Sequence, residues 1–176
     1  MIARTVSSPD WIVQESPWQP ERNQAWESVL TVGNGYLGVR GFPEEPFDAG
    51  PTRPAICLAG VFDQVADGVP DLACIANFLA VKILLGGRSF RMAPGRVTEY
   101  RRTLDLRRGL LQRALVYQDR GRSTRIEFER FASMANHHLV GQMISLTPLD
   151  DQRAVRPPQG KSSKRLRLND SFCGST

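Results

Sequence analysis

An all-β, antiparallel fold, either a large sandwich or a barrel, is what this sequence predicts, and three observations lead to it. About nine or ten short runs of apolar or alternating residues follow one another, each of strand length. Turn-forming clusters such as Gly86-Gly87, Arg107-Arg108-Gly109 and Asp119-Arg120-Gly121-Arg122 separate them. No stretch carries a convincing amphipathic helical period, and no internal repeat is apparent.

Trp11 to Glu15 alternates large apolar with polar side chains between Pro9 and Pro17, so it reads as a strand, followed by a loop from Trp18 to Asn23. Glu27 to Val32 and Tyr36 to Phe42 read as a hairpin, with the first short strand running from Val29 to Val32. Gly33-Asn34-Gly35 turns between them, because Gly and Asn tolerate positive φ. Pro43 to Pro54 is rich in proline and acid and reads as a surface excursion. Ala55 to Asp63 is a continuous apolar run that fits a strand buried on both faces. Gln64 to Asp71 reads as a turn, with Gly68 and Pro70 as breakers. Leu72 to Leu85 fits both periods. The Gly86-Gly87 pair at its end favours a hairpin of Phe78 to Leu85 with Arg88 to Met92. Val97–Leu106, Gly109–Gln118 and Ser123–Ala132 follow as three strands. In the third, Ile126 and Phe128 alternate with Arg125, Glu127 and Glu129, as in a sheet with one wet face. His137 to Thr147 is the last strand, and Pro148 ends it.

The spacing Gly33-x-Gly35-x-x-Gly38 is that of a nucleotide-phosphate loop, which requires a helix to begin just after it. Val39, Gly41, Pro43 and Pro46 occupy that place, and the acid expected about twenty residues on is missing. The hairpin reading is preferred. Gly38 and Gly41 then mark a bulge or a close backbone approach.

The 176 residues carry 23 basic and 18 acidic side chains, a net charge of +5. That excess lies in the tail: residues 152–176 hold six basic residues and one acid, leaving 17 of each in residues 1–151. A neutral body offers no basic stripe for a phosphate backbone, so nucleic acid is not an expected partner. The tail has too few apolar residues to offset chain entropy and reads as disordered. This division gives a domain over 1–151 and a basic tail over 152–176. Cys57, Cys74 and Cys173 show no C-x-x-C spacing and suit a reducing compartment with free thiols rather than a disulfide scaffold. Adjacent His137 and His138 point to opposite faces of a strand, so no metal site is expected. The N-terminus lacks the apolar core of a secretory signal, and Leu72 to Leu85 is shorter than the ~20 residues of a membrane span. A cytoplasmic location with no membrane partner is the expectation.

Five segments in the same order resemble the N-terminal domain of glycoside hydrolase family 65. They are Trp26–Glu45 (WESVLTVGNGYLGVRGFPEE), Leu58–Asp63 (LAGVFD), Tyr100–Arg113 (YRRTLDLRRGLLQR), Asp119–Met134 (DRGRSTRIEFERFASM) and Ile144–Asp150 (ISLTPLD). The resemblance covers nearly all of Trp11 to Asp150 and none of the tail. It implies a galactose-mutarotase-like super-β-sandwich, joined in full-length members to an (α/α)6 barrel that this sequence does not contain. It further implies inverting phosphorolysis or hydrolysis of α-glucosidic disaccharides such as maltose, trehalose or kojibiose, with inorganic phosphate as co-substrate in the phosphorylases and no other cofactor. A homodimer is a further implied partner. In that chemistry a barrel glutamate protonates the glycosidic oxygen, and phosphate, or water activated by a second carboxylate, attacks from the opposite side. The hydrolytic carboxyls lie about 6.5–9.5 Å apart.

No residue of this chain is assigned to catalysis. Glu44 and Glu45 are adjacent in a proline-bounded loop and read as solvated acids. Glu27 reads as a structural ion-pair or turn acceptor at a strand start. The family's Pro-Asn-Trp is here Ala76-Asn77-Phe78, so Asn77 matches while Phe78 replaces the tryptophan. Asn77, Phe78 and Arg40 are the candidate substrate contacts, against the simpler reading of Phe78 as core. The competing function is a free-standing carbohydrate-binding or assembly module.

Overall fold

The computed structural model describes residues 9–47, 50–64, 68 and 70–150; the expected tail disorder falls outside them. Eleven strands are present among the described residues: β1 (Ile12–Glu15), β2 (Val32–Gly33), β3 (Leu37–Val39), β4 (Ile56–Gln64), β5 (Pro70–Cys74), β6 (Leu84–Leu85), β7 (Arg88–Ser89), β8 (Val97–Asp105), β9 (Leu110–Asp119), β10 (Arg122–Ala132) and β11 (Val140–Pro148). All pair antiparallel. One sheet has the order β1-β8-β9-β10-β11, a second β2-β3-β4-β5, and β6-β7 is a small separate ribbon.

β8 to β10 form a meander because each buries mainly one parity and closes in a short turn, and β11, which has no fully buried residue, adds to its edge. In β9, Leu111, Leu115 and Tyr117 share one parity and are buried; in β10, Ile126, Phe128 and Ala132 do the same. The core has two parts. Leu30, Val32, Leu37, Val39, Phe42, Ile56, Leu79, Leu104 and Leu111 pack between the two sheets. Ile83, Phe90, Met92, Tyr100, Leu115, Tyr117, Ile126 and Phe128 fill the other end of the long sheet, beneath the β6-β7 ribbon.

The Gly-Asn-Gly turn folds as the sequence suggests, with Gly35 at φ 87°. Asn34 Oδ1 accepts from Tyr36 N–H (3.1 Å) and Leu37 N–H (2.9 Å), an Asx turn. Its Nδ2 donates to Ser133 O (2.7 Å) and His137 O (3.1 Å), tying the β2-β3 turn to the β10-β11 connection. Asn34→Ala strips both ends of this tie, and urea denaturation is expected to show a loss of about 1–3 kcal/mol.

Several expectations are corrected. The stretch before β2 is an α-helix, α1 (Asn23–Val29), rather than a strand from Val29. It is held by polar groups: Asn23 and Glu27, one turn apart, are its buried residues and hydrogen-bond each other at 2.7 Å. β4 is exposed from Ala59 through Phe62 rather than buried on both faces. Pro70 opens β5 instead of breaking a turn, at a strand end where proline is tolerated. The Gly86-Gly87 hairpin forms but is only two residues deep on each side, and Phe78 lies outside it. β11 begins at Val140 rather than His137. Finally, the expected surface excursion from Pro43 to Pro54 is exposed at Pro46, Pro51, Arg53 and Pro54, but its first part, Pro43 to Glu45, is buried together with Gly41 and Phe42.

Candidate functional site

That buried segment organises the polar chemistry of the molecule. Three arginines, Arg102 on β8, Arg113 on β9 and Arg130 on β10, sit on the inward parity of three neighbouring strands and are 3% exposed or less. Arg102 and Arg113 are direct cross-strand partners. Phe128, opposite Arg113 in the β9-β10 register, lies under its guanidinium at 4.1 Å, and Phe42 lies under that of Arg130 at 4.6 Å.

Each arginine grips the chain between Arg40 and Glu45. Arg113 binds both oxygens of Glu45, Oε1 at 2.8 Å and Oε2 closer still, and Glu44 Oε2 at 2.7 Å. Arg130 donates to Glu44 Oε1 (2.8 Å), to Phe42 O (3.1 Å) and to Arg40 O (3.1 Å). Arg102 donates from Nε to Glu15 Oε2 (2.7 Å), from Nη1 to Gly41 O (2.8 Å) and from Nη2 to Asn23 Oδ1 (3.3 Å). Gly41 also donates its N–H to Glu27 O at 2.8 Å, and a Cβ there would stand 2.8 Å from Leu30 O. Only glycine lets the two backbones approach this closely.

Charge compensation sets the ionisation of these groups. Burial alone would lower the Arg113 guanidinium, but Glu45 and Glu44 outweigh it and hold it above its ordinary value. Arg130 goes the other way: burial lowers it, and Glu44 offsets only part of that. Tyr100, whose hydroxyl donates to Glu15 Oε2 at 3.1 Å, is pushed up, chiefly by burial.

Glu44 and Glu45 are therefore not solvated loop acids. They were misread because an acid between prolines, taken alone, looks like loop surface, whereas its partners lie 68 to 86 residues further on. All four of their oxygens face guanidinium groups, so they serve to position the segment. Glu27 is a structural acceptor as expected, but on a helix: it takes hydrogen bonds from Asn23, the Thr52 hydroxyl and Arg53 N–H (2.9 Å), with Arg40 at 3.6 Å.

The gripped segment forms one wall of a cleft of about 340 Å³, from Pro43 to Phe47, and Asn77 with Ala80 to Lys82 forms the other. Val81 N–H donates to Glu44 O at 2.8 Å and fixes the two walls together. Asn77 faces this cleft, with its Oδ1 occupied by Leu79 N–H at 3.0 Å. Phe78 is 55% exposed and is not core, because it sits in the turn before Leu79, which takes the inward place instead. Arg40 is not among the cleft residues; its head is taken by Gln24 O (3.0 Å) and Glu27. The three candidate contacts thus do not converge. Sequence reasoning missed Lys82 and the arginine lattice; the available signal was an arginine on the apolar parity of three consecutive strands.

A two-sheet antiparallel sandwich whose first sheet is riveted to a buried Gly-Phe-Pro-Glu-Glu segment defines the class. Residues 13–157 match the model of "Glycosyl hydrolase family 65, N-terminal domain", and the chain belongs to that family. Among its relatives is kojibiose phosphorylase of Caldanaerobacter subterraneus subsp. tengcongensis, 33% identical over 155 residues, which cover 88% of this chain and 20% of that protein. Another is α,α-trehalose phosphorylase of Thermoanaerobacter brockii, 23% identical over 177 residues, 92% of this chain and 23% of that protein. A solved structure described as "Putative kojibiose phosphorylase from human microbiome" shares the fold, with a TM-score of 0.73 at 22% identity over 81% of this chain and 20% of that one. The chain spans about a fifth of the length of the relatives it matches. Among the described residues, no helix is long and apolar enough to cross a membrane.

Proposed function

We propose that this chain is the sandwich module of an enzyme that splits α-glucosidic disaccharides by inverting phosphorolysis or hydrolysis, with inorganic phosphate as co-substrate in the phosphorolytic case. The family match over residues 13–157 carries the reading. The proton donor lies in the barrel that the relatives' greater length accommodates, and the module acts by framing the site and the dimer rather than by chemistry. The working location is the cytoplasm. Large apolar side chains left exposed on the β4-β5 hairpin and just after it, Val61, Phe62, Leu72, Ile75 and Phe78, support a role inside a larger protein, since such patches are uncommon on free-standing domains. The cleft beside Asn77, with Phe78 at its margin, is the proposed place of sugar or barrel contact.

The test is a graft. Residues 1–151 replace the matching N-terminal fifth of the Caldanaerobacter enzyme, and release of glucose 1-phosphate from kojibiose is followed for the graft and for this chain alone. Phosphorolysis by the folded graft, with none by the 176 residues, is the expected result. Turnover by the chain alone overturns the assignment of the proton donor to the barrel, and a folded but inactive graft overturns the module reading.

A further inference from the structure

β4 and β5 bring two cysteines face to face. Cys57 and Cys74 are direct cross-strand partners in the antiparallel register, and their sulfur atoms lie 3.1 Å apart. The backbone beside them is fixed by Ile75 N–H donating to Ile56 O at 2.8 Å. Directly opposite partners in antiparallel strands have Cα atoms about 4.5–5.5 Å apart, inside the window of about 4.4–6.8 Å that a disulfide spans. The sulfurs need close by only about 1 Å to reach bonding distance.

We propose that Cys57 and Cys74 are an oxidisable dithiol, a modification site at which a small-molecule disulfide of the glutathione class installs a cross-strand bridge. The two sulfurs have different roles. Cys74 is exposed and meets the oxidant, while Cys57 is half-buried. The Cys57 thiol is pushed up to about 11, first by burial and then by its contact with Cys74, so it is a poor first nucleophile. The Cys74 thiolate attacks one sulfur of the oxidant, forming a mixed disulfide and releasing one glutathione thiolate. Cys57 then loses its proton to water and attacks the Cys74 sulfur, expelling the second glutathione thiolate. One oxidant is reduced to two thiols, and two protein thiols become one disulfide.

The bridge closes the chain between residues 17 apart and fixes the paired base of a hairpin whose outer part carries the exposed Val61, Phe62 and Leu72. Beyond the pair the register shifts between Cys57 and Phe62, so the bridge pins the strands just before the ladder becomes irregular.

The test counts thiols on the full 176-residue chain. After exposure to glutathione disulfide and denaturing alkylation, intact mass should show alkylatable cysteines falling from three to one, with two hydrogens lost and no glutathione retained. Both cysteines fall in one tryptic peptide, because Arg53 precedes Pro54 and no other basic residue intervenes before Lys82. A second cut after Asp63 should yield fragments that separate only on reduction. Cys57→Ser should trap glutathione on Cys74, and Cys173→Ser should leave the bridge unchanged. A wild-type product retaining glutathione on Cys74 with Cys57 alkylatable overturns the proposal. So does modification confined to Cys173.

Discussion

Arg113→Ala is expected to be the most destabilising single change in the sandwich, with a loss of about 3–5 kcal/mol. The residue is 3% exposed and meets three carboxylate oxygens of Glu44 and Glu45, themselves 3% exposed. Removing the cation leaves Glu45 with no guanidinium and Glu44 with Arg130 alone. Against a typical stability of about 5–15 kcal/mol, this lowers Tm by on the order of 10 °C or more. Thermal and urea melts check it. Replacing the Arg113–Glu45 pair together, Arg113→Met with Glu45→Gln, should recover much of the loss, because Glu44 keeps Arg130 as its partner and no uncompensated ion then remains. A double variant less stable than Arg113→Ala would show that the grip on the segment depends on ionic geometry beyond charge balance.

Arg102→Ala should cost a similar amount, about 3–5 kcal/mol, for a different set of reasons. Glu15 is 0% exposed and would keep only the Tyr100 hydroxyl at 3.1 Å. Gly41 O and Asn23 Oδ1 would each lose a donor, so α1 and the segment after β3 would lose their side-chain tie to β8, while the β1-β8 ladder remains. Arg102→Lys should rescue little. One ammonium on a flexible stem cannot reach three acceptors arranged around a planar fork. A lysine variant as stable as the parent by urea denaturation would refute that geometry.

The sheets were legible to the extent that they alternate. β8, β9 and β10 lie within a residue or two of their expected places, because each buries one parity and turns at glycine or charge clusters. The family resemblance was legible too, from five ordered segments. What could not be read was whatever depends on a distant partner. Asn23 and Glu27 give α1 a buried polar face, which apolar periodicity cannot detect. Ala55–Asp63 is apolar in composition, yet its outer part faces away from this domain's core. Arg130 follows Ile126 and Phe128 in phase, so alternation points it inward, but nothing local in the sequence marks its partner Glu44, 86 residues earlier. Of the candidate contacts, Asn77 reaches the cleft, whereas Arg40 is bound to α1 and its surroundings.

The grip on the Gly41–Glu45 segment also dictates an order of events at the ribosome. Glu45 leaves the peptidyl-transferase centre 68 residues before Arg113, and Glu44 leaves it 86 residues before Arg130. At about 5–20 residues per second, the two acids wait roughly 3–17 s for their cations. Until then they keep their hydration shells, and the nascent chain has no means of drawing them inside. Closure is a late step, and a translation pause before Arg130 would hold a half-built, sticky intermediate in the path of chaperones.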